Sequence, residues 1–117
     1  MIDMIKQMGY NYFMMDQKEL LDFLRRYNRE KLPDGLRFVG LFGSFARGMQ
    51  DRYSDVDITY HMDHEILYKD NAFKKLILLE DIKKELESIL HRKVDLVPDN
   101  VNDSVIARRI AEEKIIL

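Results

Sequence analysis

The sequence has no cysteine among its 117 residues, which excludes a disulfide framework and a thiolate metal site. It also lacks an excess of positive charge. Nineteen Lys and Arg against 21 Asp and Glu leave a net charge of −2, so no overall basic field favours a nucleic-acid backbone or an anionic membrane. No apolar run approaches the length that spans a bilayer. The first residues, MIDMIKQMGYNYFMM, are broken by Asp3, Lys6, Gln7 and Asn11, so no signal-peptide core is expected. Repeats, low-complexity tracts and linkers are missing too. The expectation is a cytoplasmic protein of one domain, residues 1–117, in which 1–15 form an amino-terminal extension. Its apolar content of 46% and charged content of 34% suit a folded chain with its own core.

Helical spacing accounts for much of what is present. Met4, Ile5, Met8, Tyr12 and Phe13 give a loose pattern, interrupted by Gly9, that suits a terminal helix docked on its own domain. Asp16 followed by Glu19 fits a capping box. Leu20, Leu21, Phe23, Leu24 and Tyr27 then recur at helical spacing, with Arg25, Arg26 and Arg29 on a solvated side. Pro33 ends that helix, and Asp34-Gly35 supplies a turn. A second helix, capped by Asp70 or Asn71, runs to about Leu90 with Ala72, Leu76, Leu79 and Leu86 facing the core. Asn102 or Asp103 caps a last helix with Val105 or Ile106 and Ile110 inward, and residues 115–117 add a short strand or packing tail.

The chemistry lies between these helices, in LRFVGLFGSFARGMQDRYSDVDITY, residues 36–60. Leu36 to Phe42 is a nearly continuous apolar run, as expected for a buried strand. It breaks at Gly43-Ser44, where a turn gives way to a short helix over Ser44 to Met49. Free backbone N–H groups at that helix start form a physical route to gripping phosphate. A strand from Asp55 to His61 follows, and alternation puts Asp55 and Asp57 on one face, opposite Val56 and Ile58. Asp is disfavoured in strands, and two carboxylates on one face repel unless a cation or solvent intervenes. A third strand, Lys93 to Val97, carries Asp95 opposite Val94 and Leu96. Its place is explained if it joins the other two acids around an oxygen-ligated divalent cation. Ser54 reads as a turn-stabilising hydroxyl. The segment HMDHE, residues 61–65, lacks the HExxH spacing and reads as an exposed loop, not a metal site.

GSFARG, a five-residue spacer and SDVD resemble the signature of the minimal nucleotidyltransferases, the smallest members of the DNA polymerase β-like superfamily. The resemblance covers Asp16 to Leu117. It implies an α/β (α+β) polymerase β-like fold, a small mixed β-sheet flanked by helices. It also implies Asp55, Asp57 and Asp95 as catalytic, metal-holding carboxylates, with Gly43, Ser44 and Arg47 at the nucleotide. Arg47 has two open roles, reaching phosphate or pairing with an acid to brace the site. Two Mg²⁺ ions with ATP as substrate fit such chemistry. Known members include MntA-type antitoxins of HEPN/MNT toxin–antitoxin modules. Those move AMP from ATP onto a tyrosine of a HEPN-domain partner, so a HEPN toxin is the implied partner, with no role for membrane or nucleic acid. The alternatives are a binding-only antitoxin that occludes its partner and a nucleotidyltransferase acting on a small molecule such as an antibiotic.

Overall fold

The computed structural model describes residues 15–51, 53–100 and 104–117. Its elements run α1 (Gln17–Glu30), β1 (Leu36–Phe42), β2 (Val56–Met62), α2 (Ala72–Leu90), β3 (Val94–Pro98), α3 (Ser104–Glu113) and β4 (Ile115–Ile116). The strands form one mixed sheet in the order β3-β2-β1-β4. β1 pairs antiparallel with β2 and β4, and β2 pairs parallel with β3 through the crossover helix α2. The amino-terminal spacing over 1–14 and the cap at Asn102 or Asp103 lie outside the described residues.

α1 starts where Asp16 caps it, its carboxylate accepting from the Glu19 N–H at 2.8 Å. Leu20, Phe23, Leu24 and Tyr27 on its inner stripe are buried against the sheet. From the sheet come Leu36, Phe38, Leu41, Val56, Ile58 and Val94. Tyr27 stacks on Phe38 with ring centroids 5.8 Å apart and donates from its hydroxyl to Glu85 of α2 at 2.8 Å. Burial and that carboxylate push the Tyr27 phenol well above its ordinary pKa.

A bulge between Phe38 and Gly40 keeps Phe38 and Leu41 in the core although they lie three residues apart. β4 is too short to reach Phe38. The Asn28 side chain takes that place, accepting from Phe38 N–H and donating to Phe38 C=O, each at 2.9 Å. α2 is capped by Asn71 and ends at His91, whose φ of 53° turns the chain back toward β3. Its buried residues begin only at Ile82; Phe73, Leu76 and Ile77 are exposed, so Ala72 and Leu76 do not face the core. On the last helix Ile110 is inward and Val105 outward. No described helix is long and apolar enough to cross a membrane.

Candidate active site

β1 delivers the chain to Gly43, which sits at φ +78°. A Cβ at that position would collide with Oδ2 of Asp57. Glycine is therefore required twice, for the backbone conformation and to let the Asp57 carboxylate lie against the turn. Residues 44–48 form consecutive turns in place of the expected short helix. They are closed by Arg47 N–H to Gly43 C=O (3.1 Å), Gly48 N–H to Phe45 C=O (3.2 Å) and Met49 N–H to Ser44 C=O (2.9 Å). Five residues ending in a glycine at φ +69° are too few to nucleate a regular helix.

The turn is held from behind. Gln17, the first residue of α1, donates from its side-chain amide to the carbonyls of Phe45 (2.7 Å) and Ala46 (3.1 Å). In a planar trans peptide the N–H points opposite to its C=O, so anchoring Phe45 C=O aims the Ala46 N–H away from α1. The N–H groups of Ser44, Phe45 and Ala46 donate to no acceptor among the described residues. Phe45 itself is buried and fixes the turn to the core.

The acids arrive on two neighbouring strands. The parallel register of β2 and β3 pairs Asp57 directly with Asp95, and paired residues of adjacent strands project to the same face. Val56 and Val94 are likewise paired and are buried on the opposite, core-facing side. Asp55 immediately precedes β2, and all three acids are partly buried. The approach to Asp55 is fixed locally: Asp51 Oδ1 accepts from Tyr53 N–H, and Ser54 Oγ accepts from Asp51 N–H, both at 2.8 Å. Ser54 thus closes a turn. The three carboxylates do not close on one point: among the described residues no three His, Asp or Glu side chains stand close enough to hold an ion. The donor set is all oxygen, as a hard cation such as Mg²⁺ requires, and the register and the Gly43 cradle suit it.

Arg47 pairs with Glu113 at the end of α3, Nη1 to Oε2 at 3.0 Å, which is the bracing arrangement among its two open roles. α3 lies over the far part of the acid-bearing face, with Ala107, Ile110, Ala111 and Lys114 gathered around Thr59 and Asp99. His61 falls within β2 and meets Asp99 through Nδ1 at 2.9 Å, while His64 meets Lys75. Sequence reasoning missed two residues. Gln17 had only its place at a helix start as a signal. Arg92 had none, yet its guanidinium donates to the Asp51 and Ser54 carbonyls at 2.7 and 2.9 Å.

The sequence profile described as "Polymerase beta, Nucleotidyltransferase" matches residues 19–117. The chain belongs to that nucleotidyltransferase family. It is 35% identical over 88 residues to the "Putative protein adenylyltransferase MJ1215" of Methanocaldococcus jannaschii, covering 74% of this chain and 93% of that protein. It is 28% identical over 103 residues to the "Protein adenylyltransferase MntA" of Thermococcus cleftensis, covering 87% and 96%. A solved structure described as a "putative minimal nucleotidyltransferase" shares the fold with a TM-score of 0.66 at 24% identity, covering 89% of this chain and 98% of that one. A toxin–antitoxin crystal structure with AMP-PNP aligns with a TM-score of 0.57 at 24% identity, covering 87% and 72%. The polymerase β-like fold and the nucleotidyltransferase activity expected from GSFARG and SDVD are thereby established for this chain.

Proposed function

We propose that this nucleotidyltransferase is a Mg²⁺-dependent protein adenylyltransferase that moves AMP from ATP onto a tyrosine hydroxyl of a HEPN-domain toxin, and so acts as its antitoxin. The observation that carries the proposal is the register that sets Asp57 beside Asp95 with Gly43 folded against the Asp57 carboxylate. Support for the acceptor class comes from the relatives, one named a protein adenylyltransferase and several solved within toxin–antitoxin pairs, including MntA–HpeT.

In this reading the N–H groups of Ser44, Phe45 and Ala46, with the Ser44 hydroxyl, hold the β- and γ-phosphates. Asp55 and Asp57 would hold one Mg²⁺, and Asp95 would share a second. When bound, these ions neutralise phosphate charge and make the acceptor hydroxyl more acidic. Asp95 takes the proton of the tyrosine hydroxyl as its oxygen attacks the α-phosphorus. The new O–P bond forms, the α–β anhydride bond breaks, and pyrophosphate leaves. Arg47, tied to Glu113, holds α3 to the phosphate turn.

The test uses α-labelled ATP, Mg²⁺ and the protein encoded next to this one. Label on a tyrosine of that protein is the expected result. Absence of label, with an active adenylyltransferase run alongside, overturns the proposal. Asp55→Asn with Asp57→Asn should abolish labelling and protection together; protection without labelling would mean occlusion.

A further inference from the structure

Arg92 follows the left-handed cap of α2, and that turn sends its side chain off the helix toward the site. One guanidinium nitrogen, Nη1, donates to both Asp51 C=O and Ser54 C=O, at 2.7 and 2.9 Å. The same group lies over the Phe45 ring, its central carbon 4.9 Å from the ring centroid. Ser54 is the residue before Asp55, and Phe45 is the residue after Ser44. One side chain therefore touches both the segment that delivers a carboxylate and the segment that offers N–H groups to phosphate.

We propose that Arg92 is a positioning residue for nucleotidyl transfer, setting the phosphate turn and the Asp55 approach in one fixed relation. The role requires guanidinium. A planar group can hydrogen-bond in its plane while stacking on an aromatic face, which a lysine ammonium cannot do. Burial lowers the Arg92 pKa, with Asp51 opposing that shift, and both follow from a cation drawn off the surface into this three-way contact. Gln17 anchors the turn alone, through Phe45 and Ala46. Loss of Gln17 therefore loosens phosphate binding, whereas loss of Arg92 misplaces a carboxylate relative to a phosphate that still binds.

The proposal rests on the adenylyl-transfer reading for its kinetic arm and on backbone protection for its other arm. Arg92→Ala should lower kcat by about tenfold or more with KM for ATP changed less than about threefold. Gln17→Ala should do the reverse, and Arg92→Lys should fall between wild type and Arg92→Ala. Amide hydrogen exchange in the free protein should quicken by about tenfold at the hydrogen-bonded amides of Arg47, Gly48 and Met49 and of Asp51, Ser54 and Val56 together, with β1 unchanged. Arg26→Ala, which removes a surface pair with Glu30, should alter neither readout. The proposal is overturned if kcat is unchanged, if kcat falls only with the folded fraction, or if the two segments keep wild-type exchange. If the wild-type protein transfers no AMP, the adenylyltransferase reading fails by itself. Arg92 is then judged on exchange alone: coupled loosening of both segments supports the brace, and its absence removes it.

Discussion

Gly43 and Gly48 both lie at positive φ, +78° and +69°, yet they constrain the protein differently. A Cβ at Gly48 meets nothing within 4 Å, so Gly48→Ala is charged only for its backbone conformation, about 1 kcal/mol. A Cβ at Gly43 pays that strain and also drives the Asp57 carboxylate away from the turn. Gly43→Ala should therefore lose about a hundredfold in kcat, since displacing a reacting group by about 1 Å is enough for that. Gly48→Ala should keep kcat within about twofold while losing similar stability. Urea melts beside AMP-transfer rates separate the two, and equal kinetic losses would count against the Gly43–Asp57 contact. Here the sequence was informative but incomplete. Gly43 next to an apolar run announced a close approach, but what approaches is an aspartate 14 positions later, and only the pairing of Phe42 with Asp57 reveals it.

At the scale of elements, α1 holds the site with polar groups at both ends as well as with its buried stripe. Asn28 replaces a missing strand at Phe38. Asn28→Ala should leave a donor and an acceptor of β1 unpaired and cost about 1–3 kcal/mol in a urea melt. α2 behaves otherwise. Nineteen helical residues extend about 28 Å, whereas strands of five to seven residues reach only about 17–23 Å, so the first half of α2 overhangs the sheet. Helical spacing alone made Leu76 look like Leu86, because periodicity records which residues share a face and not whether anything lies opposite it. Leu86 is fully buried and Leu76 is 63% exposed. Leu76→Lys should change stability by less than about 0.5 kcal/mol, and Leu86→Ala should cost about 2–5 kcal/mol. The two α1 groups that reach outward to the turn and to β1, Gln17 and Asn28, were illegible for a related reason: their partners lie 28 and 10 residues away and follow no local pattern.

For the whole molecule, the seam between α1, α2 and the sheet carries phenols whose ionisation opposes the fold. Tyr27 is pushed above its ordinary pKa by burial first and by the Glu85 hydrogen bond and charge next. Tyr60 is raised by burial and by Asp99. In the unfolded chain both titrate near pH 10, so above that pH the unfolded state releases protons that the folded state retains. The stabilisation is complete below about pH 10 and is lost as pH climbs toward the raised folded values. Urea midpoints should thus be insensitive to these two groups between about pH 7 and 9 and should fall steeply beyond about pH 10. Tyr27→Phe supplies the internal control. It removes one of the two phenols and the bond to Glu85, so it should cost about 1 kcal/mol at neutral pH and make the alkaline decline shallower. A variant that declined as steeply as wild type would place the alkaline weakness elsewhere, in the lysines or in Tyr60 alone.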